Sequence, residues 1–387
     1  MPPDRWLQVG RSDEVNAYHA GAAAASDAMG GPDARLLIVF CSHTYDLPEL
    51  LRGIRESVGD VPLVGCSTAG EIANSGPGDA GVVVTALGGP GFSVATAAVP
   101  GVSGRLREAS AEVAGCIEDV EPYEHRVLLL LTDGLSGDQE EVIRGAYSVV
   151  GAGVPLVGGC AGDDLRMRRT FQVHGAEVMD NGIVAAAIAS NAPFGIGVRH
   201  GWSKVGDAML VTRSAGNRVY SLNDRPALDV YLERLQAPVA ARADHDEFTH
   251  FALTHPLGLS RRSGEEVRFI GDANFDDRSL GCIAAVPQGG LTWIMEGDAD
   301  SVLAATEDSC HQALAQLGGR PPLGLVAFDC IARRGVLGDE GIRGEVSRLG
   351  ALAGGAPVAG FYTYGEIART HSLRGFHNQT LVVLAFA

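Results

Sequence analysis

The chain alternates short apolar runs with stretches in which apolar residues recur every three or four positions. The runs 36–40, 127–131 and 323–328 are rich in branched residues and bounded by turn formers, which is typical of buried strands. In the stretch 47–57, apolar positions follow the i, i+3, i+4, i+7 spacing of an amphipathic helix. The alternation predicts a fold in which helices cover a sheet.

The pattern occurs three times. The segments 61–72, 154–163 and 356–367 each contain a proline, three apolar residues, a glycine, small or hydroxyl residues, and then a glycine followed by an acid. A helix, a strand and a second helix precede each segment, and a further strand follows it. We therefore predict an α/β fold of repeated α-β-α-β-β units that form mixed sheets covered by helices.

Within each unit, a strand–helix–strand order predicts a parallel pair joined by a right-handed crossover. The strands 81–87 and 92–99 are separated by Gly-Gly-Pro-Gly, which predicts a hairpin between them. The remaining predicted helices are 12–29, 105–118, 140–150, 300–317 and 342–353.

Residues 206–299 break the repeat. This region predicts a helix at 227–235 and strands at 267–270, 280–286 and 291–295. We place a boundary where polar residues interrupt the apolar pattern near 214–222. The prediction is two domains: 1–218, with two copies of the unit, and 219–387, with the inserted strands and the third copy.

The net charge of the chain limits the kinds of partner that it can bind. Lys and Arg number 30 and Asp and Glu number 47, so the formal net charge is 30 − 47 = −17. A field of that sign repels phosphate backbones and anionic membrane surfaces. The densest basic cluster, 166–169, is short. We expect no nucleic-acid or membrane partner.

The seven cysteines are odd in number and form no CxxC pair, which favours reduced thiols in a cytoplasm. The first ten residues contain no long apolar segment, and the longest apolar runs are too short to span a bilayer. We therefore expect a cytoplasmic protein.

Polar residues follow the buried strands, where ligands gather in open parallel sheets. The candidates from the three segments are Cys66, Ser67, Thr68, Glu71, Asp163, Tyr362, Tyr364 and Glu366. The alternative is that these positions only satisfy tight turns. Asn378 is a further candidate. It lies just before the predicted last strand and close in sequence to His371 and His377.

Arg333 lies just past a predicted strand and is suited to bidentate binding of a carboxylate; the alternative is a surface salt bridge. His200 ends an alternating strand beside Trp202 and is a candidate metal or haem ligand. The alternative for His200 is a hydrogen bond within the fold.

Signatures of enzymes are missing: the sequence has no GxSxG elbow, P-loop, HExxH or GxGxxG after a strand. Cys66 and Cys160 could act as nucleophiles if a histidine approached them, but small buried thiols are commoner. We expect no enzyme activity, with a cysteine-dependent enzyme as an alternative.

Several motifs resemble the FIST family. Those that resemble the N-terminal FIST domain and its junction are 65–72, 195–202 and 226–231. Those that resemble the C-terminal FIST domain are 255–258, 329–334, 360–367 and 376–380. They occur in the expected order over nearly the whole chain.

The resemblance implies a sensory module in signal transduction, a role often linked to histidine kinases, diguanylate cyclases or methyl-accepting receptors. No such segment is recognised in this sequence, so we expect a separate partner such as a histidine kinase or cyclase. Small ligands such as amino acids are implied for the family, and a subset is described as haem-binding nitric-oxide sensors.

Two ligand hypotheses follow. In the first, which needs no cofactor, Glu71, Glu366 and Arg333 hold an amino-acid-like metabolite between Tyr362 and Tyr364. In the second, His200 ligates haem b, which would not be covalently attached because CxxCH is missing. The 6% aromatic content argues against a large porphyrin pocket.

Overall fold

The computed structural model describes residues 5–261, 264–370 and 375–387. His371 lies outside the described residues. The helices are α1 (Ala17–Asp27), α2 (Leu47–Val58), α3 (Leu106–Ala114), α4 (Gln139–Val150), α5 (Ala227–Arg234), α6 (His245–Ala252), α7 (Ala299–Ala315) and α8 (Ile331–Leu352). The strands are β1 (Trp6–Ser12), β2 (Ala34–Ser42), β3 (Leu63–Thr68), β4 (Glu71–Ala73), β5 (Gly76–Gly78), β6 (Val82–Gly88), β7 (Phe92–Pro100), β8 (His125–Thr132), β9 (Leu156–Cys160), β10 (Gln172–His174), β11 (Glu177–Met179), β12 (Gly182–Ser190), β13 (Phe194–Arg199), β14 (Ser203–Ala215), β15 (Arg218–Leu222), β16 (Arg225–Pro226), β17 (Leu257–Arg261), β18 (Gly264–Arg268), β19 (Ile270–Asn274), β20 (Ser279–Cys282), β21 (Leu291–Glu296), β22 (Gly324–Cys330), β23 (Val358–Thr363), β24 (Glu366–Arg369), β25 (Phe376–His377) and β26 (Leu381–Phe386).

The three predicted units are confirmed. Unit one runs from β1 to β6, unit two from β7 to β12, and unit three from β13 to β26 with an insertion. In each unit a strand–helix–strand crossover makes a parallel pair: β2 with β3, β8 with β9, and β22 with β23. The other pairings in these sheets are antiparallel, so the sheets are mixed. The predicted α/β fold with helix-covered mixed sheets is correct.

Each unit lends a hairpin to a neighbour. The hairpin β4–β5 of unit one pairs with β23 of unit three. The hairpin β24–β25 of unit three pairs with β9 of unit two. The hairpin β10–β11 of unit two pairs with β3 of unit one. The exchange is cyclic, so each of the three sheets is completed by a strand pair from another unit.

The predicted hairpin between strands 81–87 and 92–99 is wrong. Strand β6 has β1 on one side and β2 on the other, so no edge is left for β7. Strand β7 pairs instead with β12 in the sheet of unit two. The glycine-rich link carries the chain between sheets, and Gly89 and Gly91 adopt φ of 87° and 80°, which favours glycine.

Two predicted helices have different limits. The prediction 12–29 was too long at its start, because residues up to Ser12 pair with β6 and the Asn16 side chain caps α1 at His19 N. The prediction 342–353 covers only the second part of α8. This helix begins at Ile331 and is interrupted at Gly338, where φ is 62° and ψ is −178°.

The insertion into unit three forms a sheet of its own. Strands β14 to β21 pair among themselves, and α5 and α6 pack on them around a separate apolar core. The strands β14 and β15 pair across the predicted boundary at 218/219. Two of the exchanged hairpins also join sheets on opposite sides of that boundary. The division into domains 1–218 and 219–387 stays a prediction.

The sheets of the three units enclose a common inner core. Apolar residues from all three sheets contribute to it, including Phe40, Phe328 and Phe361, whose ring centroids lie 4.6 to 6.2 Å apart. The unit helices cover the outer faces. Among the described residues, the helices are all too short or too polar to cross a bilayer.

Close contact between α7 and β13 depends on glycine. A Cβ at Gly197 would lie 1.7 Å from the Ser309 carbonyl oxygen. We expect Gly197→Ala to lower the free energy of unfolding by about 1–3 kcal/mol, because the helix must move away from the strand. Gly153→Ala, where an added Cβ meets no atom within 4 Å, is the control and should leave stability unchanged or slightly raised in urea denaturation. Equal losses in both variants would contradict this account.

Candidate functional site

The three repeated segments meet in a ring of backbone hydrogen bonds, which we call the turn ring (residues 67–71, 160–163 and 362–366). Every pair of segments is joined: Gly162 N bonds to Ser67 O at 2.9 Å, Cys160 N to Gly365 O at 2.8 Å, and Ala69 N to Tyr362 O at 3.1 Å. The last two pairs have a second bond each, Tyr364 N to Cys160 O at 3.2 Å and Tyr362 N to Gly70 O at 2.8 Å. The segments are far apart in sequence, and the hairpin exchange brings them together. The fold therefore assembles most of the predicted site residues in one place.

All ten predicted ligand-binding residues are buried, with Tyr364 the most accessible at 9%. In the turn ring their polar atoms bond mainly to protein. Asn378 lies just before β26, and its Oδ1 has no hydrogen-bond partner among the described residues. The ligand-binding role of the ten residues stays a prediction.

Units one and three carry the same carboxylate clamp. In unit one, Glu71 Oε1 accepts from the Thr68 hydroxyl at 2.6 Å and Oε2 accepts from Gly81 N at 3.0 Å. In unit three, Glu366 accepts from the Thr363 hydroxyl at 2.5 Å and from Thr380 N at 3.2 Å. Each glutamate thereby fixes its turn to the start of the last strand of its unit.

Unit two replaces this clamp with a neutral amide. Gln172 Oε1 accepts from Gly182 N at 3.1 Å, the bond that corresponds to Gly81 N in unit one. Gln172 Nε2 faces the Thr170 hydroxyl at 3.5 Å. Unit two therefore shows that an uncharged side chain can accept this backbone hydrogen bond in place of a glutamate.

The clamp glutamates are hard to ionise. Burial raises the pKa of Glu71 to about 7, despite its bonds from Thr68 and Gly81. Burial raises the pKa of Glu366 to about 8, despite the bonds from Thr363 and Thr380. Both carboxyls therefore change charge near neutral pH.

Asp163 supports an exposed loop instead. Its carboxylate accepts from the backbone N–H groups of Met167, Arg168 and Arg169, and also from the Tyr364 hydroxyl of unit three. These hydrogen bonds outweigh burial and lower the pKa of Asp163. The acid links the loop after β9 to the turn of unit three.

We call residues 164–169 the basic loop. Asp164, Leu165 and Met167 have φ of 57°, 60° and 52°, in the left-handed region that side chains rarely adopt. Leu165 is 62% exposed and Met167 is 50% exposed. The loop presents apolar and arginine side chains together on an acidic protein.

Arg333 is an internal cation. Its Nε donates to Asp329 Oδ1 at 2.6 Å, and its Nη2 donates to Glu345 Oε1 at 2.6 Å and to the Thr306 hydroxyl at 2.9 Å. Its Nη1 donates to the His200 carbonyl at 3.2 Å. The alternative prediction was a surface salt bridge. Arg333 does form salt bridges, but they lie inside the protein and its side chain is fully buried. Each of its three nitrogens already binds protein.

The candidate nucleophiles are protonated thiols. Burial raises the pKa of Cys160 to about 12 and that of Cys66 well above its usual range. The Cys160 sulfur contacts the Thr132 hydroxyl at 3.3 Å. Such thiols do not favour the cysteine-dependent enzyme, which stays an untested prediction.

His200 is half-buried at the end of β13. Its Nδ1 accepts from Trp202 N at 3.0 Å, so the hydrogen bond within the fold is present. Haem ligation would have to use Nε2, and it stays a prediction.

The sequence did not indicate a cleft at the carboxyl end of β2, which we call the first cleft. Its volume is about 600 Å³. It lies between the starts of α1 and α2, with tyrosine rings and carboxylates among its walls. Its lining residues are Asp13, Val15, Asn16, Ala17, Tyr18, Thr44, Tyr45, Asp46, Glu49 and Ala80. The Asp-x-x-Glu pattern that begins α2 directly after a strand was the available signal.

Unit two has a corresponding cleft of about 500 Å³ between the starts of α3 and α4. Asp138 and Glu141 occupy the positions of Asp46 and Glu49, since both aspartates cap their helices. At the second residue of the preceding helix, Arg107 replaces Tyr18, and it binds Glu141 at 2.7 Å. The two clefts share a frame but differ in chemistry.

The first cleft adjoins both the turn ring and the basic loop. Tyr45, in its wall, has its pKa raised to about 12 by burial and by the nearby Glu71 carboxylate. His43, next to the lining residue Thr44, has its pKa lowered by burial and by Arg166 of the basic loop. Neither ring nitrogen of His43 has a hydrogen-bond partner among the described residues.

A family model described as FIST N domain matches residues 35–225, and one described as FIST C domain matches residues 227–369. Two Mycobacterium tuberculosis proteins, uncharacterized protein MT0656 (strain CDC 1551 / Oshkosh) and uncharacterized protein Rv0628c (strain H37Rv), are each 26% identical over 98% of this chain and 99% of their own length.

More distant matches cover less. Uncharacterized protein MJ1623 of Methanocaldococcus jannaschii is 23% identical over 41% of this chain and 33% of its own length. A solved structure of cyanuric acid hydrolase from A. caulinodans has a TM-score of 0.29 and 12% identity, over 49% of this chain and 72% of that one. A TM-score this low does not establish a shared fold.

The clamp glutamates make stability depend on pH. The pKa of Glu71 is about 7 in the folded protein against 4.5 ordinarily, so its contribution is fully present below about pH 4.5 and is lost as pH rises through about 7. We expect Glu71→Gln, which copies the amide of unit two, to reduce the fall in unfolding free energy between pH 5 and 8 by roughly 1–3 kcal/mol. Urea denaturation across that range measures it.

The control is Glu112→Gln, which removes the same charge at a 62% exposed side chain. It should keep the slope of the parent protein. A slope in Glu71→Gln that equals the parent slope would show that Glu71 ionises normally.

Proposed function

Because the chain belongs to the FIST family, whose domains serve in sensing and signal transduction, we propose that it binds a small amino-acid-like ligand and signals through a separate protein. The observation that carries this proposal is the first cleft, which combines Tyr18 and Tyr45 with Asp13, Asp46 and Glu49. Concave sites with aromatic walls and a few convergent polar groups are typical of small-ligand binding.

Both ends of an amino acid find complementary groups there. The carboxylates of Asp13 and Asp46 suit an ammonium group. The Asn16 side chain caps α1 at His19 N, which leaves the N–H groups of Ala17 and Tyr18 at the helix start for a carboxylate. Glu49 is already paired with Arg52 at 2.5 Å and contributes less charge. The cleft therefore favours a zwitterion over a simple cation.

The surroundings of the first cleft suggest how binding is read. Ala80 lines the cleft and precedes Gly81, whose N–H group is held by Glu71. Asp79, the next residue back, pairs with Arg334 of α8. A ligand that moves this short segment acts on the clamp of unit one and on a helix of unit three together.

The basic loop supports a partner site. Arg166 and Arg168 lie beside the exposed Leu165 and Met167, on a chain with net charge −17. An acidic and apolar segment of a histidine kinase or cyclase complements that surface. His43 precedes the cleft residue Thr44 in sequence and is close enough to Arg166 of the loop to feel its charge, which offers a route from the cleft to the loop.

We expect the parent protein to show a raised melting temperature with at least one common amino acid, and Asp46→Asn to weaken that binding about tenfold through loss of one charge-assisted bond. Asparagine keeps the helix cap, so the fold should persist. Titration calorimetry measures the affinity. The matched control is Asp138→Asn in unit two, which should bind like the parent; equal binding by both variants would move the ligand elsewhere.

We expect a photo-crosslinking amino acid at position 165 to capture a histidine kinase or cyclase in native cells, because Leu165, at 62% exposed, is the more exposed of the two apolar residues in the basic loop. The control places the same crosslinker at Val239, an 83% exposed apolar residue of the insertion. Mass spectrometry identifies the captured proteins. Capture of no signalling protein at 165, or the same capture at both positions, would remove the loop as the partner surface.

A further inference from the structure

Three buried oxygen atoms of unit three have no hydrogen-bond partner among the described residues. They are Asp329 Oδ2, Glu345 Oε2 and the Tyr362 hydroxyl. The three residues are at most 1% exposed. Burial of a polar atom without a hydrogen-bond partner is unfavourable, so three such atoms in one unit call for a physical explanation.

The charges of this cluster do not balance when both acids are ionised. Asp329 and Glu345 each give one oxygen to Arg333, which supplies one positive charge. Each of these contacts is 2.6 Å long, so the two carboxyls lie on neighbouring nitrogens of one guanidinium. Two carboxylates and one guanidinium leave an excess negative charge in a region without water contact, which is strongly unfavourable.

One proton accounts for two of the three oxygens, those of Asp329 and Glu345, and also for the charge. A hydrogen between the two acids turns one orphaned oxygen into a donor and leaves the other as its acceptor, and it neutralises the cluster. We infer that Asp329 and Glu345 share a single proton, which makes the cluster with Arg333 a proton-binding site inside unit three. Burial and the facing Glu345 raise the pKa of Asp329 well above its usual range, in agreement with the geometry.

Of the two acids, Asp329 accepts fewer hydrogen bonds and is therefore the better carrier of the shared proton. Glu345 Oε1 accepts from both Arg333 and the Thr306 hydroxyl, at 2.6 Å each. Asp329 has one such bond, from Arg333. The titratable or charged groups around the pair are Arg333 and Arg334 of α8, Cys330 of β22, Tyr362 of β23, Glu366 of β24 and His200 at the end of β13.

Loss of the proton to a base in solvent affects several elements. Arg333 joins α8 to the end of β22 through Asp329, to α7 through Thr306, and to the residue after β13 through His200. A second negative charge on the acids draws the Arg333 guanidinium toward them. Its hydrogen bonds to the neutral partners, the Thr306 hydroxyl and the His200 carbonyl, are then weakened. Unit three therefore holds its helices on its sheet by means of a bound proton.

Infrared spectroscopy of the full-length protein tests this. In a Glu71→Gln, Glu366→Gln background, which removes the clamp acids, we expect a C=O stretch of a buried protonated carboxyl at pH 8. Asp329→Asn, whose amide replaces the neutral acid at equal size, should abolish that band and keep the fold. Persistence of the band in Asp329→Asn, or no band in the background protein, overturns the inference.

Urea denaturation supplies an independent check. In the same background, Asp329→Asn should flatten the dependence of stability on pH above 7, whereas Asp329→Asn with Glu345→Gln should destabilise the protein because Arg333 loses its counter-charge. Stability that depends instead on whether potassium, ammonium or choline chloride is present would assign the site to a cation and overturn the shared proton. The control is Glu307→Gln, whose partner Arg348 is exposed.

Discussion

The structure depends on the exchange of hairpins around three units. A strand at the edge of a sheet exposes a row of unpaired backbone donors and acceptors, on which another strand can pair. Here β3, β9 and β23 each receive that strand from a different unit. The turns that lead into the hairpins are thereby forced together, and the turn ring is the result. The buried acids, the basic loop and the first cleft all take their positions from this arrangement.

Burial of polar groups in the ring is possible because nearly every one has a local partner. Thr68 and Thr363 bind the glutamates that follow them, and those glutamates bind the start of the next strand. Unit two reaches the same end with Gln172 and so releases Asp163 for the loop. Unit two differs from the other two units at this position, and among the described residues it alone carries an exposed loop, the basic loop, next to the turn ring.

The sequence predicted the units well because their information is local. Branched apolar runs mark β2, β8 and β22, and a helix between two such runs requires a parallel pair. The partner of each hairpin was beyond prediction, because the pairing of Ile72 with Gly360 joins positions with no local signal in common. For the same reason the strand after Gly91 was assigned to the wrong sheet.

The candidate site divides in the same way. Glu71, Asp163 and Glu366 were found because a glycine–acid pair recurs, but the recurrence reflects the turn ring as much as any ligand. Tyr18 and Tyr45 were missed because they lie at the edges of helices and belong to no repeated motif. Arg333 was placed at a strand end correctly, yet its burial depends on Thr306 and Glu345, which are distant in sequence.

The cyclic exchange has a consequence for the origin of the chain. A polypeptide with one unit alone would carry a hairpin without an acceptor strand and an acceptor strand without a hairpin. Three copies would satisfy one another in a closed ring with threefold symmetry, as point-group assemblies require. The present protein has the architecture of such a homotrimer fused into one chain. Because one chain carries all three units, the units need not be identical, and Gln172, the basic loop and the insertion each occur in only one of them.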